Sequence, residues 1–419
     1  MAEITKLKIL IVSQYFWPEF LILNELVEDL ILDGHEVTVL TGEPNYGDDK
    51  LYSDFVLDKK KFESYKGCKI IRAPIITRGN NKIKLALNYI SFAFSASIIG
   101  LFKLRKYDFD FVFVFQSSPV TAALPAIIYR KLTKTPVILW VQDLWPDTLS
   151  AVGVVKNKWL LAVVGKLVSF IYNRSDAILC QSKGFIRSVE KYADADRYIN
   201  VMPNWSSSEL VSAKYQDLNL IPNNNEMFDI LFSGNIGEAQ DFPTILACAK
   251  LLRKINVRFL IVGSGSVLSW LEGEISKEQL EHKVLILGRH PINDMNYFFN
   301  KADALLVTLS NKEIFSLTIP SKVQAYMAAG KPIIAALDGV GADVINSSFS
   351  GIATPSGDVE ALYSSVIKFL KLTPQELSLF GEHAKLYYEQ NFDKNLVREN
   401  LYKHVNVILG EEKQDEKNI

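Results

Sequence analysis

The sequence predicts an α/β protein made of two consecutive parallel-sheet halves. Two observations carry this: short apolar runs rich in Val, Ile and Leu recur along nearly the whole chain, and the spacers between them are long enough for crossover helices. A third, a single stretch where the pattern lapses, divides the runs into two sets. The first set is Lys8–Ser13, Glu36–Thr41, Phe109–Gln116, Pro136–Asp143, Ala177–Ser182 and Ile199–Pro203. The second is Asp229–Ser233, Arg258–Gly263, Lys283–Gly288, Ala304–Leu309 and Pro332–Leu337. Runs this uninterrupted fit strands buried on both faces. Spacers such as Leu21–Leu32 and Thr244–Ile255 carry a helical apolar period, giving the order βαβα.

The lapse is Ser206–Phe228, where SSSE, Asp217, Pro222 and Asn223–Asn225 leave no apolar period. It reads as a linker. The organisation expected is a first domain over 1–205, a linker over 206–228, a second domain over 229–394, and a helix with a charged tail over 395–419. A hydrophobic fraction of 48% in 419 residues supports two cores.

A net charge of −1 gives no general attraction to nucleic acid. The three cysteines, Cys68, Cys180 and Cys248, are scattered without metal-ligand spacing, and free thiols suit a reducing compartment. The opening residues enter a strand at once and show no long apolar leader, so a cytoplasmic location is expected. Local charge is less even. Lys50–Lys106 carries thirteen Lys and Arg against three Asp and Glu. Inside it Leu85–Phe102 has no charge, with Lys82, Lys84, Lys103, Arg105 and Lys106 at its flanks. Asn88, Ser91 and Ser95 fall on one side of a helix there. Three readings stand: a crossover helix packed on the sheet, a helix at a bilayer interface touching anionic headgroups, or a span. A span would remove one helix from the βαβ order.

Two loops of the first half are rich in chemistry. Ser13–Glu19 (SQYFWPE) follows the opening strand. Tyr15, Phe16 and Trp17 offer surfaces that stack on a sugar ring, or else pack in the core. Glu19 and Asn24 suit hydroxyl groups. Gln142–Asp147 (QDLWPD) sets Asp143 at a strand end, with Trp145 and Asp147 beyond. Asp143 is a candidate general base or hydroxyl anchor, or the cap of the next turn. Ser117 and Ser118 add hydroxyls on the same edge. Asp108-Phe109-Asp110 spells DxD, a pattern that can hold a divalent metal beside a diphosphate, but it opens a strand at the opposite end. It reads as strand-entry capping, and no metal site is expected.

In the second half, glycine- and serine-rich turns follow successive strands. They are Phe232–Gly237 (FSGNIG), Val262–Ser266 (VGSGS) and Gly288-Arg289-His290. Gly234 and Gly237 admit a ligand close to the backbone, Asn235 offers an amide, and Arg289 suits a phosphate or base. The segment Ile319–Leu337 (IPSKVQAYMAAGKPIIAAL) is the most informative. Pro320 suits a helix start, Gly330 a left-handed cap, and Pro332 a sharp stop. The first-turn amides with Ser321 and Lys322 form a natural anion site, unless Lys322 is merely solvated at an ordinary αβ connection.

These residues carry a resemblance. YFWPE, GHEVTVLT (Gly34–Thr41), VQDLWPD, SGNIGEAQDF and PSKVQAYMAAGKPIIA follow one another as in retaining glycosyltransferases of family 4. Within that family the chain is most similar to bacterial surface-polysaccharide transferases of the L-fucosamine (FucNAc) type. The resemblance implies the GT-B fold, two Rossmann-like parallel-sheet domains facing across a cleft. It implies a UDP-sugar donor on the second domain, a polyprenyl-diphosphate-linked acceptor on the first, and a last helix, around Asn395–Leu409, packing back toward the first domain. The expected location becomes the inner face of a bacterial plasma membrane, in O-antigen or capsule synthesis. Three features depart from the pattern. Two glutamates common in the family are replaced by Leu317 and Ala325, so the carboxylate contact to the ribose is either missing or supplied elsewhere, with Glu313 as the candidate. A lysine common after the SGN turn aligns with Gln240. The glycine pair of the first loop gives way to aromatic residues. The diphosphate charge would then fall on Lys322, Arg289 and helix starts, with no metal cofactor. Asp143 would orient or deprotonate the acceptor, or the departing phosphate would take the proton instead. Two other readings share these features: a non-hydrolysing UDP-sugar epimerase, and a non-catalytic nucleotide-sugar-binding scaffold subunit.

Overall fold

The structure, a computed structural model, describes residues 6–410 except 20, 46–49, 80, 152, 154, 213–215 and 223–225. The chain divides into two compact units, Met1–Met202 with Arg398–Ile419, and Pro203–Val397. Each is a parallel sheet between helices.

The first unit contains β1 (Lys8–Val12), β2 (Glu36–Gly42), β3 (Ser64–Tyr65), β4 (Cys68–Ala73), β5 (Phe111–Gln116), β6 (Val137–Val141), β7 (Ala177–Cys180) and β8 (Tyr198–Val201). Their order across the sheet is β3-β4-β2-β1-β5-β6-β7-β8, and only β3 runs antiparallel to its neighbour. The steps β4 to β5, β5 to β6 and β6 to β7 all run in one direction. Right-handed crossovers therefore place the helices Lys82–Leu104, Leu124–Thr133 and Lys158–Tyr172 on one face, and Ile22–Leu32, which steps the other way, on the opposite face. Lys82–Leu104 packs against Leu124–Thr133, as this requires. Arg398 and Tyr402, from the last helix Lys394–Leu409, bind Asp33 at the end of Ile22–Leu32 at 3.1 and 2.6 Å.

Lys82–Leu104 is thus the crossover helix, although it is long and apolar enough to span a membrane by length and composition. Its polar side faces inward. Asn88 donates to the Ile76 carbonyl at 2.6 Å, and Ser91 Oγ accepts from the Ile76 amide at 2.9 Å. Phe92, Ala93 and Ala96 are buried beside them. The acids of Asp108-Phe109-Asp110 behave as strand entry: Asp110 accepts from the Lys8 amide at 2.6 Å, tying β5 to β1.

The second unit contains β9 (Phe228–Asn235), β10 (Val257–Ser264), β11 (Val284–Gly288), β12 (Ala304–Thr308), β13 (Ile333–Ala336) and β14 (Gly351–Thr354), all parallel, in the order β11-β10-β9-β12-β13-β14. Alternate residues feed two cores. Leu231, Leu260, Leu305 and Ile333 enter one, and Ile230, Phe259, Leu306 and Ile334 the other. This two-sided burial is why the sequence shows unbroken apolar runs.

The segment read as a linker belongs to this unit instead. Leu210, Leu218 and Ile221 pack on its core, and the Tyr297 hydroxyl accepts from the amides of Leu220 and Ile221 at 2.9 and 3.1 Å. A few apolar residues anchored by one tyrosine suffice where no period is visible. β3, β4 and β14 add strands the apolar runs did not mark.

Candidate functional site

In the second unit the residues expected to hold a phosphate converge in part. β9 continues through Asn235, pairing Gly234 with Gly263 and Asn235 with Ser264 on β10. A Cβ at Gly263 would stand 1.8 Å from the Gly234 carbonyl oxygen, so only glycine lets the two turns touch. The VGSGS glycines therefore shape the FSGNIG turn. From the other side the turn is held by β12 and its exit: the Ser310 amide donates to the Ala239 carbonyl at 2.9 Å, and the Thr308 hydroxyl donates to the Gln240 carbonyl.

The helix Ser321–Ala328 starts after Pro320 with no side-chain cap on its first amides, and Gly330 ends it in the left-handed conformation. Tyr326 fixes its position, its hydroxyl accepting from the Ser233 amide at 3.0 Å. That buried phenol is pushed up to about 12 by desolvation. This places Lys322 beside the turn. Its ammonium donates to Gln240 Oε1 and lies 4.3 Å from the centre of the Phe232 ring. A Cβ on Gly234 would lie 3.0 Å from Lys322 Cε. Burial against this ring, with no carboxylate paired to it among the described residues, brings the Lys322 ammonium down to about 7. The site therefore offers a cation without an anionic partner among the described residues, the opening of a helix that no side chain caps and a glycine turn, a combination suited to phosphate.

The other expected donor residues lie elsewhere in the unit. Arg289 follows the edge strand β11, two strands from β9, and is exposed. Glu313 opens the short helix Glu313–Ser316 and is also exposed. Asn235 and Ser321 are exposed near the Gly234 turn and the helix start, and Gly237 is buried behind Asn235. Phe232 and Tyr326 are the residues the sequence reading missed. Their signal was only that both lie in motifs already singled out.

In the first unit one cluster forms. Trp145 Nε1 donates to Asp143 Oδ2 at 3.1 Å and to Ser118 Oγ at 3.2 Å. Burial raises the Asp143 carboxyl above the ordinary range, opposed by hydrogen bonds from Thr148, Trp145, Ser118 and the Leu144 amide. Asp147 opens the next helix, Asp147–Ala151. A polar row lies beneath these loops. Asn45, Gln14, Gln116, Gln142 and Gln181 follow or end β2, β1, β5, β6 and β7, which are neighbours in that order. Asn45, Gln14 and Gln116 are fully buried, and Gln116 donates to the Asp143 carbonyl at 3.0 Å.

Two expected acceptor residues are structural instead. Tyr15 is buried, its hydroxyl 3.2 Å from Asn88 Oδ1. Glu19 is buried and accepts from the amides of Phe16 at 3.1 Å and Asn45 at 2.8 Å, so its carboxylate braces two loops. Asn24 likewise donates to the Glu19 carbonyl at 2.8 Å. Trp17 stacks between Phe62 and Tyr65, with ring centres at 4.8 and 5.2 Å, and remains partly exposed. Among the described residues no group of three or more His, Cys, Asp or Glu could hold a metal ion.

Comparison with known proteins gives each half of the chain a matching domain. Residues 22–205 match the glycosyl transferase 4-like domain, and residues 218–386 match the glycosyl transferases group 1 model. The chain is 26% identical over 283 residues to the probable glycosyltransferase WbjE of Pseudomonas aeruginosa, covering 66% of this chain and 69% of that one. It is 25% identical over 427 residues to the putative colanic acid biosynthesis glycosyl transferase WcaI of Escherichia coli K12, covering 96% and 100%. Among solved structures it is similar to Anabaena HepE in complex with UDP and glucose, with a TM-score of 0.65, 15% identity, and coverage of 96% and 99%. The paired domain models make the chain a glycosyltransferase that joins a glycosyl transferase 4-like domain to a group 1 glycosyl transferase domain, and the two parallel sheets with the structural likeness give it the GT-B fold.

Proposed function

We propose that this glycosyltransferase moves a sugar from a UDP-sugar to a polyprenyl-diphosphate-linked glycan, with retention and without a metal, during synthesis of a bacterial surface polysaccharide such as O-antigen or capsule. The observation that carries the reading is the Lys322–Gln240 pair beside the Gly234 turn. The donor diphosphate is taken by Lys322, the amides opening Ser321–Ala328 and the glycine turn. As the glycosidic bond breaks, charge grows on the leaving phosphate, and these fixed donors stabilise it. Asp143, held by Trp145 and Ser118, orients or deprotonates the acceptor hydroxyl. Retention by paired carboxylates needs a second acid close by, and Asp143 has no such neighbour among its hydrogen-bond partners. Support also comes from relatives: HepE was solved with UDP and glucose, and WcaI is named for colanic acid synthesis. The helix Lys82–Leu104 contacts the inner face of the plasma membrane through its outward apolar side. The donor is an N-acetylated deoxyhexosamine such as FucNAc.

The test is turnover with a panel of UDP-sugars, including UDP-FucNAc, and a polyprenyl-diphosphate-linked glycan in EDTA. A single anomer-retaining product is expected. Isomerised sugar without acceptor would instead show an epimerase. Donor binding without product on any acceptor would show a scaffold subunit. Activity restored only by magnesium would end the metal-free account.

A further inference from the structure

The helix Lys158–Tyr172, like the long crossover helix, carries large apolar residues on its outward side. Gly165, Val168, Ile171 and Tyr172 turn inward, while Trp159, Val163, Lys166 and Phe170 form an outward stripe. Their spacing of four, three and four residues is one side of an α-helix. Trp159 is 73% exposed, and Leu160 and Val163 are exposed beside it. Arg174, just past the helix end, lays its guanidinium 3.8 Å from the Phe170 ring centre. An outward Trp-Val-Lys-Phe stripe contributes nothing to the core of this unit. Such a stripe is costly in water unless something covers it.

Charge says what covers it. Residues 148–175 hold Lys156, Lys158, Lys166 and Arg174 and not one Asp or Glu. The same is true of Lys82–Leu104 and Leu124–Thr133, which lie on the same side of the sheet. Across that side run the outward apolar residues Ile83, Leu87, Ile90, Phe94, Ile98 and Phe102, then Leu132, then the Trp159 stripe. Cations framing exposed apolar rings, with acids excluded from all three helices, match an anionic bilayer surface. Tryptophan and arginine favour that depth.

We infer that Lys158–Tyr172 is a second interfacial helix, docking the first unit on an anionic phospholipid surface together with Lys82–Leu104. This rests on the membrane reading of the long helix and adds an element to it. The test uses the full chain and vesicles of phosphatidylcholine with or without phosphatidylglycerol. Trp159→Ser with Phe170→Ser is expected to lower partitioning onto anionic vesicles by about tenfold or more, and so is Phe94→Ser with Ile98→Ser. Lys158→Glu with Lys166→Glu is expected to do the same without removing apolar surface. Brominated lipids are expected to quench wild-type fluorescence, and Trp159→Phe to abolish most of that quenching. If the changes at 159 and 170 leave partitioning intact while those at 94 and 98 abolish it, the long helix acts alone and this inference is wrong. Should neither pair matter, both readings fail. Equal binding to neutral vesicles would overturn the role given to charge.

Discussion

Lys322 donates its ammonium to the side chain of Gln240, across 82 residues of sequence, and both stand at the C-terminal edge of the β9 and β12 strands. Gln240 occupies the place where the family resemblance leads one to expect a lysine. A single cation therefore stands there, and a neutral amide accepts its hydrogen bond. Two adjacent cations would repel each other before the donor arrives, whereas an amide imposes no such cost.

If Lys322 takes the donor diphosphate as proposed, its lowered titration makes donor binding depend on pH. Without ligand the ammonium loses its proton near pH 7, and a bound diphosphate holds that proton on. UDP affinity is therefore expected to weaken as pH rises above 7, with proton uptake on binding. Titration calorimetry in buffers of different ionisation enthalpy reads both quantities. Lys322→Met should flatten the dependence.

The same shift links to stability. Between about 7 and the ordinary value of 10.5 the unfolded chain holds a proton that the folded chain has released, so the penalty from Lys322 eases as pH rises through that window. Lys322→Met is expected to raise Tm at pH 7, and the gain should shrink at pH 10. An equal gain at both values would show that burial does not control this lysine.

Asp143→Asn is expected to cut kcat by about tenfold or more, since the amide cannot accept a proton yet still accepts from Trp145. Because burial raises the Asp143 carboxyl, the folded chain keeps a proton there at pH values where the unfolded chain has lost it. The stability contribution of this group therefore falls as pH rises through that interval. The variant should keep or gain Tm at neutral pH while losing turnover. Full activity in the variant would remove Asp143 from the reaction.

Gly263→Ala forces a Cβ to within 1.8 Å of the Gly234 carbonyl, a clash between two backbones that no side chain can relieve. A loss of about 3 kcal/mol or more in denaturant unfolding is expected, together with weaker UDP binding. Unchanged stability would mean the two turns do not pack as described.

The strands were legible wherever both faces are buried, because parallel sheets then select continuous Val, Ile and Leu. The ones missed carry other signals. Lys69 and Arg72 interrupt β4, whose neighbour β3 is the sheet edge, and β14 is only four residues at an edge. The glycine turn and the helix start were legible, since Gly234 and Pro320 act through local backbone chemistry and Lys322 lies in the first turn that Pro320 opens. Roles that depend on tertiary placement were not. Tyr15 and Trp17 sit two residues apart in one aromatic loop, yet one is core and the other partly exposed. Glu19 looked like a ligand group because nothing local reveals that the Asn45 amide reaches it. The long helix carried its polar side inward for the same reason: Ile76, its partner, lies outside the helix itself.

The most direct measurement is UDP binding by calorimetry to wild type and to Lys322→Ala at pH 7 in EDTA. Wild type is expected to bind one UDP, and the variant to bind about tenfold more weakly or worse with its fold intact. Equal affinity in the two proteins, or binding by wild type only when magnesium is supplied, would contradict it.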